Sequence, residues 1–452
     1  MLLLLVGAAS ASAEPISPSA VRETLAAYVK AHPYAAVAVG VIEHRRKATY
    51  FARGSRAKWP LDVHTRFQIG SITKVFTATI LARMVQTGRL HLNDPIQRYL
   101  PAGVTAPAYR RQPITLLALA THMSGLPTDP QNLTSYQDYS IKQLDDALGA
   151  TQLTRAPGSH WTYSNFGFAV LGQALADAAH VSYVELVREH ILKPLGMNDT
   201  VVIGSAQTRH HMLPAFGYSG VPVPASEIGP GIAPAGSIES DLKDMMLFAQ
   251  ANLEARQGPL GPELAFAQQP RARVAEYNMS MGLGWQNVLP ATHRTPDDLG
   301  DLPPGSLEKG GNVNGYSSFI GLNHGANWAF VAMTNVNDDD FQSVIAHAIS
   351  PRTARMPILW TTVKREPSPF SGRYLFGKRN PLTFEIFKYK GDLYGWFPSA
   401  TNPERLAPLG PARYSLPSQQ LELTFRRSSS GRLTGLSVVQ GNKKPVRVEK
   451  LP

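Results

Sequence analysis

Three short motifs, met in this order, hold residue types that together can carry out acyl transfer: Ser71-Ile72-Thr73-Lys74, Tyr163-Ser164-Asn165 and Lys309-Gly310-Gly311. A serine hydroxyl is a poor nucleophile until a base takes its proton. No His-Asp pair stands beside Ser71 in a nucleophile-elbow motif, so the base has to come from Lys74 or Tyr163. Free lysine titrates near about 10.4 and free tyrosine near about 10, which makes both poor bases at neutral pH unless their surroundings shift them. If Lys74, Tyr163 and Lys309 meet in one cleft, each ammonium disfavours the other and favours the phenolate, lowering lysine and tyrosine values alike. The base is therefore assigned to the Lys74/Tyr163 pair as a coupled unit.

Spacing by itself is a weak signal, because Ser-x-x-Lys begins at Ser55, Ser71, Ser240 and Ser306. Only the copy at Ser71 follows an apolar and glycine lead-in (Phe67, Ile69, Gly70) and opens the pattern of a long amphipathic helix. In that pattern Val75, Phe76, Ile80, Leu81, Met84 and Val85 recur at helical spacing and Gly88 closes the segment. Tyr-x-Asn and Lys-x-Gly each occur once. Lysine three residues after serine on a helix shares its face. Asn165 can position Lys74 or bind a substrate amide. The stretch after Lys309 reads as an edge strand whose N–H near Asn312, with the N–H of Ser71, can form an oxyanion hole, while Lys309 attracts a substrate carboxylate. Gly310 and Gly311 let a substrate backbone lie close to that strand.

Each residue has a plainer reading. Ser71 alone could cap a helix, Tyr163 could be a core residue and Asn165 a turn former after Pro157-Gly158, and Lys309 could be an exposed strand lysine. The combination favours chemistry. The adjacent His210-His211 pair lacks the helical offset or acidic partners of a metal site and reads as surface. Trp161 and Trp285 are candidates for the cleft, with packing the preferred role.

With 452 residues and 43% apolar content the chain can bury a large core in two or three domains. Residues 1–13 run from an apolar stretch into an Ala-x-Ala signature, the pattern of a secretory signal peptide, although no basic residue follows Met1. No later segment reaches the roughly 18 apolar residues of a membrane span. Cysteine is absent, so disulfides, thiol nucleophiles and cysteine metal sites are excluded. Net charge is +11. Lys and Arg read as scattered, with no basic run interleaved with aromatics, so nucleic acid is not an expected partner.

Ala36–Ile42 and Ala48–Ala52 read as a β-hairpin, and Tyr316–Leu322 with Trp328–Thr334 as a second; strand signals also appear near Gly282–Val288. Between these ends, residues 71 to about 192 are mostly helical, with stripes at 141–148 and 166–179. The layout implies one antiparallel sheet shared by N- and C-terminal segments, with a helical subdomain inserted and a cleft at the junction. After Pro351, prolines mark a linker. Alternating segments at 382–389, 393–397, 421–426, 433–440 and 445–450 then imply a small barrel or sandwich with no catalytic constellation.

The motif triplet resembles the serine β-lactamase and penicillin-binding peptidase superfamily, most closely the class C β-lactamase-like branch with Tyr-x-Asn as second motif. Leu92-Asn93-Asp94-Pro95, Ser124-Gly125-Leu126-Pro127, Pro157-Gly158-Ser159 and Pro194-Leu195-Gly196-Met197 extend the resemblance over residues 20–350. It implies an α+β fold of the β-lactamase/DD-peptidase type in residues 14–355, a linker at 356–367 and an antiparallel C-terminal β domain at 368–452. Ser71 is then the acylated nucleophile, Lys74 and Tyr163 its base system, Asn165 a positioning residue and Lys309 an electrostatic anchor, with Gly311 and Asn312 at the substrate strand. No cofactor is expected. One departure stands out: the family's third motif carries threonine or serine where this chain has Gly310, which weakens an assignment of β-lactam hydrolysis. The expectation is an exported serine peptidase acting on D-amino-acid or peptidoglycan-type peptides, in the periplasm or secreted. The alternatives are a β-lactamase or carboxylesterase and a penicillin-binding sensor that acylates without turnover.

Overall fold

Residues 15–202, 212–218, 220–290, 302–351, 364–376, 382–396, 403–416, 421–440 and 445–451 are described in the computed structural model of the chain. The expected leader and His210-His211 lie outside them. Helix α1 (Pro18–Ala31) is capped by Ser17, which accepts from the Ala20 amide at 3.3 Å, and Pro18 sits in the first turn, where its missing N–H has no helical partner to lose. Strands β1 (Ala36–Glu43) and β2 (Arg46–Arg53) form the expected hairpin. Ala36, Ala38 and Ile42 join the main core, while Val37, Val39 and Val41 are buried on the opposite face. Both faces are therefore covered. β2, at the sheet edge, leaves Arg46 and Lys47 exposed, as suits a strand with one unpaired side.

A short strand β3 (Arg66–Gln68) leads to α2 (Thr73–Gln86), followed by α3 (Leu116–Ala120), α4 (Ile141–Ala150) and α5 (Asn165–Ala179). β4 (Ile238–Asp241) pairs with β3. Next come α6 (Leu242–Leu253) and α7 (Gly261–Gln268), then β5 (Ala272–Val274), β6 (Met279–Met281), β7 (Gln286–Val288), β8 (Leu307–Val313), β9 (Tyr316–Asn323), β10 (Trp328–Thr334) and α8 (Phe341–Ile349). The sheet runs β5-β6-β7-β8-β9-β10-β1-β2. β10 pairs antiparallel with β1, from Val37↔Thr334 to Glu43↔Trp328, so the two ends of this region share one sheet as the alternation implies. α1 and α8 meet through Tyr28 and Phe341, ring centroids 5.5 Å apart.

The helix after Ser71 departs from its expected amphipathic character. Every residue from Thr73 to Ala82 is buried, because Phe76 stacks on Phe248 of α6 at 4.1 Å and the helical subdomain covers the other side. Its polar residues find partners instead of water: Thr77 donates to Pro234 O at 2.8 Å and Thr79 to Val75 O at 2.8 Å.

The chain divides into two compact units, residues 1–215 with 223–356, and residues 216–222 with 357–452. The second unit is all β. Its strands β11 (Gly372–Phe376), β12 (Leu382–Tyr389), β13 (Asp392–Trp396), β14 (Glu404–Arg405), β15 (Ala407–Gly410), β16 (Arg413–Leu416), β17 (Leu421–Arg427), β18 (Leu433–Gln440) and β19 (Val446–Lys450) form one sheet ordered β14-β13-β12-β11-β19-β18-β17-β16-β15. The two edge strands are joined through Leu406 alone, which curls the sheet into a nearly closed barrel around Tyr374, Phe384, Leu423 and Leu436. The cations that read as scattered are concentrated here: residues 357–452 hold 16 Lys and Arg against six Asp and Glu, +10 of the chain's +11.

Candidate active site

Ser71 lies in one 3-10 turn, Gly70–Ile72, immediately before α2 and not inside it; Lys74 is the second residue of the helix. The turn is fixed from several sides. Ile69 donates its N–H to Ile238 O at 3.0 Å, and Thr73 Oγ1 accepts from the Ile238 amide at 3.1 Å. Ser318 of β9 donates its hydroxyl to Ile69 O at 2.9 Å. β8 passes directly alongside: a Cβ on Gly311 would overlap Ile69 O, and one on Gly70 would stand 3.0 Å from Asn312 N. Only glycine permits that approach, which sets the backbones of Ser71 and Asn312 beside each other.

The three motifs converge. Tyr163 donates its hydroxyl to Ser71 Oγ at 2.7 Å, and Lys74 Nζ lies 2.9 Å from the same oxygen. Lys74 is fully buried, and Nζ also donates to Asn165 Oδ1 at 2.8 Å and Ala235 O at 2.7 Å. Lys309 Nζ stands 5.0 Å from the Tyr163 ring centre, with Lys74 Nζ at 4.9 Å. Burial, then the nearby Lys309 charge, holds Lys74 well below the usual lysine range, against a smaller opposing pull from Asp129. Burial also brings Lys309 down to about 8, with Glu308 opposing.

Tyr163 goes the other way. Burial raises its phenol above the ordinary tyrosine value, outweighing the Ser71 hydrogen bond. The expectation that two ammonium groups would lower it fails because desolvation of the phenolate is the dominant influence, and the same burial disfavours the charged form of Lys74. In its neutral form the Lys74 amine has two N–H bonds, enough for Asn165 Oδ1 and Ala235 O, and one lone pair left to face Ser71 Oγ. Ser71 Oγ meanwhile accepts from Tyr163.

Several supporting residues escaped sequence reasoning. Asn165 Nδ2 donates to Asp129 Oδ1 at 2.9 Å, and Tyr136 donates to that oxygen at 2.7 Å. This clamp turns the Asn165 carbonyl toward Lys74. His122, buried and at φ +60°, lies under Tyr163 with centroids 4.5 Å apart. Its Nδ1 accepts from the Ser164 amide at 3.1 Å, and burial followed by the charges of Lys309 and Lys74 holds it well below the usual histidine range. No spacing rule links residues 122, 129 and 136 to Ser71. Trp161 lines the cleft, whereas Trp285 is wholly buried in the core.

The cleft measures about 910 Å³ and is bordered by Ser71, Tyr163, Asn165, Lys309, Gly310 and Asn312 among others, uniting every predicted site residue except Lys74 and Gly311, which lie just behind its wall. Elsewhere, His64, Asp199 and Asp241 bring possible ligand atoms within 4.8 Å of one another. Lys243 Nζ reaches Asp199 at 3.5 Å, so a cation is already present there.

The β-lactamase family model matches residues 21–350. The chain belongs to that family. It is 30% identical over 298 residues to the D-alanyl-D-alanine-carboxypeptidase/endopeptidase AmpH of Escherichia coli, covering 62% of this chain and 73% of that protein. Identity to a β-lactamase of Pseudomonas fluorescens is 28% over 264 residues, 56% of this chain and 69% of the other. Among solved structures, a D-stereospecific amidohydrolase from Streptomyces superposes with TM-score 0.60 at 26% identity, covering 74% of this chain and 99% of that one. A β-lactamase/D-alanine carboxypeptidase from Pseudomonas syringae (TM-score 0.63, 23% identity, 74% of this chain and 98% of the other) shares the fold. The chain is a serine hydrolase of this family, with an α+β fold and an added barrel-shaped β unit. No helix among the described residues is long and apolar enough to cross a membrane.

Proposed function

We propose that the chain is an exported peptidase that forms an acyl-enzyme on Ser71, acting on D-amino-acid or peptidoglycan-type peptides. The observation carrying this reading is the convergence on one oxygen, Ser71 Oγ, of Tyr163 and of a Lys74 whose burial disfavours its charged form. Lys74 takes the hydroxyl proton as Oγ attacks the substrate carbonyl. The oxyanion accepts from the Ser71 and Asn312 amides. Tyr163, protonated and next to Oγ, passes its proton to the leaving amine and regains one from Lys74. The C–N bond breaks and the acyl group stays on Ser71. Water then attacks the ester, giving a proton back through the same pair, and releases the acid. Lys309, charged below about pH 8, draws the substrate carboxylate to the cleft.

The kinship with peptidases and an amidohydrolase supports a peptide substrate, and the Ala-x-Ala signature supports export. A carboxylesterase is the second reading, favoured by Gly310, which lacks the hydroxyl expected at that place; β-lactam hydrolysis draws its support from kinship to a β-lactamase and not from that glycine. A penicillin-binding sensor shares the first half-reaction only. Incubation with a D-alanyl-D-alanine muropeptide, a fluorescent penicillin and p-nitrophenyl acetate, followed by intact mass, separates them. D-alanine release is the expected result; ester turnover without it favours the esterase, penicillin turnover the lactamase, and stable label the sensor. Ser71→Ala abolishes every acylation, and persistent labelling of that variant would overturn the site.

A further inference from the structure

The space left by Gly310 is filled. A side chain begun at Gly310 would overlap the carboxamide of Gln342, whose Nε2, Cδ and Oε1 are the three atoms nearest to an added Cβ. Gln342 is the second residue of α8, half-buried, and its side chain borders the cleft beside Lys309 and Gly310. No hydrogen bond joins its carboxamide to another described residue. A neutral amide with free donors therefore stands where a threonine or serine side chain at 310 would begin, in a cleft whose lining includes Lys309. Two carboxylates share this wall. Asp339 Oδ1 is engaged by Asn312 Nδ2 at 2.8 Å, and Glu308 is buried at 5% exposure on the other side of Lys309.

We propose that Gln342 is a specificity residue: its Nε2 donates to the terminal carboxylate of the substrate alongside the Lys309 ammonium, replacing the donor that Gly310 lacks. The proposal rests on the peptide-hydrolase reading for its substrate class. The glycine and the glutamine form one device, since any side chain at 310 would expel the amide. The chain thus reads an anionic terminus by a fork of one cation and one amide. A donor to a charged acceptor changes affinity by about tenfold or more when removed.

The test measures binding, so it does not depend on turnover. In a Ser71→Ala background, calorimetry with N-acetyl-D-alanyl-D-alanine and with its C-terminal amide should show the acid bound about tenfold more tightly. Gln342→Ala should erase most of that preference and leave amide binding unchanged. Gly310→Thr alone should give no gain, because threonine displaces the amide, whereas Gly310→Thr with Gln342→Ala should recover the preference for the acid. In proteins retaining Ser71, Gln342→Ala should raise KM for the acid with kcat little changed and leave p-nitrophenyl acetate hydrolysis unaffected. Equal binding of acid and amide by the parent, or equal loss of both in Gln342→Ala, overturns the proposal. Protein that hydrolyses nothing yet keeps the binding difference would sink the hydrolase reading and leave the amide fork standing.

Discussion

Around Ser71, three groups able to carry positive charge, Lys74, Lys309 and His122, are buried and pushed toward their neutral forms. On the nine-stranded unit, by contrast, cations are exposed and paired with the few acids available: Arg405 with Asp392 at 2.8 Å, Arg413 with Glu422 at 3.2 Å, Lys388 with Glu366 at 3.4 Å, and Arg365 with Glu385. Residues 1–356 carry a net charge of only +1. The difference teaches how the same residue type serves two ends. Desolvation disfavours the charged form of a lysine, which is what the proposed base role of Lys74 requires if it is to accept the serine proton. Left in water, the same charge stays permanently on, sets a long-range field and contributes little to stability pair by pair.

That contrast breaks most visibly at Lys74. Lys74→Ala should lower acylation by about 10²- to 10⁴-fold, the range of a positioned general base, with p-nitrophenyl acetate burst kinetics as the measure. A loss under threefold would mean that burial of this lysine has no catalytic purpose. The pH profile sharpens the point. Lys74 must be neutral to act, so activity falls as pH drops through its lowered value; Lys309 must be charged to hold a carboxylate, so KM for a C-terminal acid rises above about pH 8. Acetate esters without a carboxylate should lack the alkaline limb, and Lys309→Gln should remove it for the acid. An alkaline limb shared equally by both substrates would contradict the role of Lys309.

A smaller effect is expected one step away. Asp129→Ala frees the Asn165 amide to rotate, so Lys74 loses a fixed acceptor and kcat should drop about tenfold, the cost of one charge-assisted hydrogen bond. Unchanged kcat would show that Asn165 holds its orientation without that clamp. The smallest effect belongs to the barrel: Arg413→Gln, breaking an ion pair whose members are 53% and 54% exposed, should alter unfolding free energy by no more than about 0.5 kcal/mol in denaturant titration.

The two hairpins of the shared sheet and the motifs that converge at Ser71 were legible because each leaves a local mark: β-alternation, a glycine lead-in, a motif that occurs once. Most of the barrel strands were legible for the same reason, whereas β11, β14, β15 and β16 are short or lack clean alternation. The burial of α2 was not, since a stripe and a fully apolar surround differ only in what packs against the polar face. Nor were His122, Asp129 and Tyr136, which reach the site through loops whose course no periodicity records.

Residue types and their order settled that a serine, a lysine and a tyrosine were available for acyl transfer, since covalent chemistry is a property of the side chain. Which of them would hold the proton was decided only by tertiary structure. Burial around Ser71 pushes Lys74 toward its neutral form and Tyr163 toward its protonated one, because the energy of a charge depends on the atoms that surround it. In the same way, Gly310 is written in the sequence as a missing group; only the fold, by laying α8 against β8, brings the amide of Gln342 into its place.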